Sequence, residues 1–217
     1  MTFVDALSPA MREDLVARGR PVEFPANLVM LREGDPGDRV LLITAGNVKL
    51  TKSSRSGAEV VLDFRGPGDV LGEQAVLGGG DRSATVESLT PVTAVSIPAR
   101  DFGAWLSRAP DAMLALLRTV ERRLRESDRQ RLEFGSAQTL ARVAARLLDL
   151  AQRFGRQAEE GTVIELAIAQ EELAAWSGAS REATVKALRS LRDLGVVETS
   201  RRRLVVRDLD EIARHAA

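Results

Sequence analysis

From about residue 20 to Pro98 the chain repeats one short theme, and beyond Pro98 it abandons it. Brief β-type runs (VEF from Val22, LVML from Leu28, VLLIT from Val40, VKLT from Val48, VVLDF from Val60, ATVESL from Ala84, VTAVSI from Val92) alternate with turn clusters such as Gly34-Asp35-Pro36-Gly37-Asp38, residues 53–57 and Gly66-Pro67-Gly68-Asp69. Strands this short and this regularly spaced predict a small antiparallel barrel or roll. Ser8-Pro9 predicts a capped helix ahead of it, stopped at Gly19, with Met11, Leu15 and Val16 as its apolar face.

Helical spacing takes over after Pro98. Residues from about Asp111 to Phe134 contain neither glycine nor proline, and Met113, Leu117, Val120, Leu124, Ser127, Arg131 and Phe134 step by alternating fours and threes. That repeat packs one helix against another in a coiled coil, so a homodimer is expected; the alternative is a helix spending the same stripe on its own barrel. Ser127 puts a hydroxyl where the repeat wants leucine, either as a tolerated polar residue or as a group facing both a partner and a ligand. Gly135-Ser136 then predicts an interruption of the helix and a domain boundary.

The remainder is expected to be mainly helical, with helices over 137–154, 170–176 and 181–194 followed by a hairpin built from VVET and RLVV, the order of a winged helix-turn-helix. In the stretch QEELAAWSGASREATVKALRSLRDLG, Gly178 permits a tight turn and Ser180 caps the second helix. At 100° steps Ala183, Thr184, Ala187, Leu188, Leu191 and Leu194 share one side, and Arg181, Glu182, Val185, Lys186 and Arg189 the other. Between residues 176 and 207 eight bases (181, 186, 189, 192, 201, 202, 203, 207) face three acids (182, 193, 198), a local excess in a chain whose 31 basic and 31 acidic residues cancel. A solvated face is the plain alternative. Against it stand the first-turn position of Arg181 and Glu182 and the run Arg201-Arg202-Arg203, where a wing meets phosphates. Double-stranded DNA is the expected partner, since Arg and Lys donate to guanine, Glu accepts from cytosine, and Val185 suits a thymine methyl.

The chain has no cysteine and one histidine, His215, near a terminus expected to fray. Thiolate nucleophiles, disulfides, cysteine-held clusters and a Ser-His-Asp triad are excluded or implausible. A metal-dependent barrel enzyme would need ligands that His215 and scattered carboxylates do not offer, so no catalytic activity is expected. The first residues carry no signal-peptide pattern and no apolar run is long enough for a membrane span, so a cytoplasmic location is expected.

One stretch of the first half, GEQAVLGGGDRSAT from Gly72 to Thr85, separates Glu73 from Arg82 by an apolar turn and three glycines. By itself it reads either as a surface hairpin or as a loop holding a ligand between an acid and a base. With roll, long helix and terminal helix-turn-helix in this order, the chain resembles the cyclic AMP receptor protein (CRP/FNR) family of bacterial transcription regulators. The resemblance rests on Gly72-Glu73 with Arg82-Ser83-Ala84, like that family's phosphate-binding cassette, and on Ser180-Arg181-Glu182, like its recognition-helix start. It implies an α+β fold with an antiparallel cyclic-nucleotide-binding β-roll over 1–110, a dimerisation helix and hinge over 111–135, and a winged helix-turn-helix over 136–217.

The resemblance further implies that Gly72, Glu73, Gln74, Arg82, Ser83 and Ala84 bind a cyclic nucleotide, cyclic AMP before cyclic GMP. Arg82 and Ser83 would take the phosphate and Glu73 the ribose 2′-hydroxyl, with Ser127 and Asp128 at the base across a homodimer. It implies base-edge reading by Arg181, Glu182 and Lys186 and phosphate contacts from Gln170, Ser180 and Arg189 on a palindromic operator. Val185, Arg201 and Arg202 complete the expected DNA surface, and RNA polymerase is a further expected partner.

Departures qualify the pattern. Asp128 stands where serine or asparagine is common, Ala169 lacks a side-chain donor, and Arg201 replaces a wing glycine. Lys186 lacks the planar fork of the usual arginine, which predicts loosened half-site specificity. The rival expectation keeps DNA binding but gives the roll a vestigial pocket or another small effector.

Overall fold

A computed structural model describes residues 2–54, 59–164, 166, 168–200 and 203–216. Two compact units, Met1–Glu126 and Ser127–Ala217, divide the chain. In the first, α1 (Pro9–Val16) begins at Ser8, whose hydroxyl accepts from the Met11 N–H. Eight strands follow: β1 (Arg20–Phe24), β2 (Val29–Leu31), β3 (Arg39–Ala45), β4 (Val48–Ser53), β5 (Glu59–Arg65), β6 (Val70–Leu71), β7 (Thr85–Ser88) and β8 (Val92–Pro98). The seven sequence-predicted runs are all strands. Only the two-residue β6, too short to show alternation, was not foreseen. α2 (Glu73–Gly78) interrupts the strands, and α3 (Ala99–Arg108) and the first part of α4 (Pro110–Ser136), as far as Glu126, close the unit.

The strands form two antiparallel four-stranded sheets, ordered β1-β8-β3-β6 and β2-β7-β4-β5. β3 is buried on both faces. Leu41 and Ile43 join Met30, Val48, Val86 and Ala94 between the sheets, while Val40 and Leu42 turn outward against Phe3, Phe102, Trp105 and Leu116 of the helical layer. An alternating strand with no polar face can be satisfied only between two apolar layers. Full burial of each such side chain stabilises by roughly 1.5–3 kcal/mol.

α4 settles how its apolar stripe is used. Ala112, Ala115, Leu116 and Thr119 form its buried face, whereas Met113, Leu117 and Leu124 of the heptad seam are exposed, Leu117 at 61% and Leu124 at 57%. The helix therefore packs on its own roll mainly with a different face, leaving Met113, Leu117 and Leu124 outward while Val120 is half-buried. It also runs through Gly135 to Ser136 without a break, so the interruption expected there is absent.

The second unit is built around α5 (Thr139–Phe154), whose Val143, Ala144, Leu147 and Leu150 are buried. α6 (Gln170–Ser177) and α7 (Arg181–Asp193) pack on it and on each other. The wing is a four-stranded sheet, β11-β12-β10-β9, in which the foreseen β11 (Val197–Ser200) and β12 (Arg203–Val206) are extended by an unforeseen hairpin, β9 (Gly155–Ala158) and β10 (Gly161–Ile164). A further helix was not foreseen: Asp208 caps α8 (Leu209–His215), Ile212 is fully buried against the unit, and His215 lies 3.3 Å from Glu211.

Candidate functional site

In the first unit, the chain leaves β6 through Gly72, whose φ of 79° is a conformation that favours glycine, and enters α2 at Glu73. A Cβ at Gly72 would lie 2.2 Å from Arg82 Nη1, so only glycine lets that guanidinium lie against the cassette backbone. Arg82 is positioned by its own main chain as well. Its N–H donates to Asp35 O at 2.8 Å and its carbonyl accepts from Gly34 N at 3.0 Å, zipping it to the turn before β3. The side chain, 3% exposed, donates from Nη1 to Gly72 O at 3.1 Å and from Nη2 to Asp38 Oδ1 at 2.9 Å. It also borders a hollow of about 440 Å³ whose wall includes Met30, Leu31, Arg32, Asp35 and Arg39. Ser83 Oγ donates to Gln74 Oε1 at 3.0 Å, joining the two ends of the loop.

Glu73 is equally buried, 5% exposed, and its counter-ion comes from α4: Arg123 Nη1 donates to Glu73 Oε1 at 2.6 Å, and Nη2 to Asp69 Oδ1 and Val70 O, each at 3.2 Å. Asp69 works twice, since its Oδ2 accepts from Gly66 N and closes the turn between β5 and β6. Glu73 and Arg82 therefore do not pair with each other; Arg123 and Asp38 hold them apart as two buried charges of opposite sign. Burying such charges is costly unless each is paired, and here each has a partner of opposite sign, although the buried Nε of Arg123 makes no hydrogen bond.

Sequence reasoning missed Arg123, Asp69 and Asp38. A signal for Arg123 existed, because it precedes Ser127 by four residues and shares its side of the helix. Ser127 and Asp128 stand on α4 just past the boundary of the compact units; Ser127 is half-buried, and Asp128 is exposed and 3.3 Å from Arg131.

In the second unit, Gly178 ends α6 with φ 59°, and the Ser180 hydroxyl accepts from Ala183 N at 3.2 Å to open α7, as its sequence predicts. Lacking a cap side chain at Ala169, α6 uses Glu172, whose carboxylate accepts from the Ala169 N–H at 2.9 Å. Thr184, Ala187, Leu188 and Leu191 are buried, and Arg181, Glu182, Val185, Lys186 and Arg189 are all exposed, as is Gln170 at the start of α6. Leu194 departs from the expected sorting. It is 58% exposed because α7 ends at Asp193 and Leu194 serves as its C-cap.

Several bases carry acidic partners: Arg181 Nε lies 2.8 Å from Glu171, Arg189 Nε 3.9 Å from Asp193, and Arg203 and Arg207 pair with Glu160 and Glu198. The Glu160 carboxyl is held below the ordinary range, first by a backbone hydrogen bond at Glu160 itself and then by the Arg203 charge. Exposed pairs of this kind are worth ~0–1 kcal/mol each, so a phosphate can displace them. Arg201 and Arg202 lie outside the described residues.

Comparison with known proteins agrees with both halves. The cyclic nucleotide-binding domain model matches residues 21–109, and the Crp-like helix-turn-helix domain model matches residues 141–214. The CRP-like cAMP-activated global transcriptional regulator of Mycobacterium tuberculosis is 33% identical over 210 residues, covering 97% of this chain and 94% of that protein. The cyclic AMP receptor protein of Thermus thermophilus is 30% identical over 213 residues, covering 97% and 92%. Among solved structures, FixK2 from Bradyrhizobium japonicum superposes with a TM-score of 0.82 at 18% identity, over 92% of this chain and 98% of that one. The c-di-GMP-responsive regulator CLP of Xanthomonas campestris does so at 0.78 and 22%, over 93% and 100%; at these identities the fold alone is shared. On the two relatives that match nearly end to end, the chain belongs to the cyclic AMP receptor protein (CRP/FNR) family of DNA-binding transcription regulators.

Proposed function

We propose that the protein is a homodimeric regulator whose DNA binding is controlled by a cyclic nucleotide, cyclic AMP in preference to cyclic GMP. The observation that carries this reading is the buried cassette, where Glu73 and Arg82, 5% and 3% exposed, are held apart by separate counter-ions. The residues fit the ligand. The Arg82 guanidinium and Ser83 hydroxyl offer donors to a cyclic phosphate, and the Glu73 carboxylate accepts from a ribose hydroxyl while Arg123 steadies it. Ser127 and Asp128 would meet the base; an acceptor-only Asp128 suits the adenine 6-amino group better than the guanine carbonyl. The mycobacterial relative is named as cAMP-activated, which supports the same assignment.

The dimer reading rests on the outward apolar seam of α4, Met113, Leu117 and Leu124. In the pair, two α7 helices would enter successive major grooves of a palindromic site, with Arg181, Glu182, Val185 and Lys186 at base edges. Gln170, Ser180, Arg189, Arg201 and Arg202 would lie near phosphates, and RNA polymerase would be engaged from the DNA-bound dimer. A ligand favouring the DNA-competent arrangement ~100-fold would contribute about 2.7 kcal/mol toward it.

Titration calorimetry with cyclic AMP and cyclic GMP, paired with operator binding at a fixed salt concentration, tests the reading. Micromolar cyclic AMP binding that raises DNA affinity is expected. Failure of both nucleotides to bind below millimolar concentration would favour a second reading, in which the same fold answers another effector. The Arg123 bond already made to Glu73 and the acidic Asp128 favour that alternative, as does the c-di-GMP response of a protein sharing the fold.

A further inference from the structure

Arg146 is the most deeply buried charge in the second unit, with a side chain 0% exposed in the middle of α5. Charged side chains are almost never buried this fully unless paired. Its Nη2 bonds Glu133 Oε2 from the last turns of α4, and its guanidinium carbon lies 5.3 Å from the ring centroid of Trp176, itself 1% exposed in α6. One turn earlier on α5, Arg142 makes a second bridge of the same kind. Its Nη1 donates to Ala137 O at 2.6 Å, immediately after α4, while Nε donates to Ser177 O at 2.9 Å and Nη2 to Gly178 O at 3.3 Å, at the turn between α6 and α7. The Phe134 ring lies against that same turn, where a Cβ on Gly178 would be 2.5 Å from Cε1. Upstream on α4, Arg125 pairs with Glu121 and Arg131 with Asp128 at the surface, and Arg129 Nε lies 3.7 Å from Glu133 Oε1.

We propose that Arg142 and Arg146 act as positioning residues that lock the end of α4, from Glu133 to Ala137, onto α6 and the α6–α7 turn. Two arginines four apart on one helix face reach the same pair of elements from one side, which fixes their mutual geometry more tightly than apolar contact alone. A movement of this part of α4 would pass to α7 as a rigid-body displacement instead of being lost in a loose linker. The consequence for operator binding rests on the DNA-binding reading above; the lock itself does not.

Segment-resolved hydrogen exchange on the full-length protein tests it, comparing wild type with Arg146→Met, Arg142→Ala and the milder Glu133→Gln, and with Leu147→Ala as a control that weakens the same core without touching the lock. Wild-type amides of 133–137 should be as protected as those of 177–180. In each lock variant both segments should exchange at least tenfold faster together, while 143–151 changes less. Leu147→Ala should instead accelerate α5 throughout. The proposal is overturned if 133–137 exchanges in wild type like free peptide, or if the lock variants reproduce the Leu147→Ala pattern. Glu133→Gln keeps the test decisive should either arginine variant fail to fold. Binding of the same proteins to operator DNA is measured in parallel: wild type that shows the paired protection but binds no DNA would remove the regulatory consequence and leave the lock standing.

Discussion

Arg123 changes the chemistry of the cassette more than any residue within it. Without it, Glu73 and Asp69, both under 11% exposed, would share one pocket with no cation between them. We expect Arg123→Met to cost about 3–5 kcal/mol, the scale of breaking a buried pair, read as a lowered urea midpoint. A neutral result would mean that the carboxylates are met by water or by each other's proton. In the second unit the converse applies at Thr184, whose hydroxyl is fully buried without a hydrogen-bond partner. Thr184→Val keeps the shape and removes the unmet group, so a gain of roughly 1 kcal/mol is expected in thermal unfolding. Any loss there would show that the hydroxyl is satisfied after all. Arg82 and Glu73 were legible from their spacing around a glycine loop, but their counter-ions were not, because Asp38 and Arg123 lie 44 and 50 positions away along the chain.

Among elements, the α6–α7 turn is the most constrained. Gly178→Ala would force a side chain into φ 59° and against Phe134, for an expected cost of about 1–2 kcal/mol from the backbone alone plus the displaced ring. The double variant Phe134→Ala, Gly178→Ala should recover the steric part. Additive losses would place the cost wholly in the backbone. Periodicity revealed α4 and α7 because each carries a sustained apolar stripe. It did not reveal β9, since Gly155-Arg156-Gln157-Ala158 contains no β-branched residue and becomes a strand by pairing with β10. The same limit hid α8, a single amphipathic stretch of seven residues that is helical because Asp208 caps it and Ile212 finds the core.

At the scale of the molecule, the outward seam of α4 and the cassette make separate demands. Leu117→Glu with Leu124→Glu should turn a sedimenting dimer into folded monomers whose unfolding midpoint no longer depends on protein concentration, since neither side chain is spent on the roll. A variant that remains dimeric would move the interface elsewhere. Cyclic AMP at 100 times its dissociation constant should raise stability by about 2.7 kcal/mol, read as a ligand-dependent thermal midpoint. The sequence by itself determined the order of the elements, the turn that carries the cassette and the face that α7 turns outward, because periodicity, capping and glycine geometry act within a few residues. Only the tertiary structure decided which charge each buried ion answers to, which face of α4 the roll consumes, and that the end of that helix is held by α5. Those outcomes depend on excluding water between groups distant in the chain, and exclusion is a property of packing.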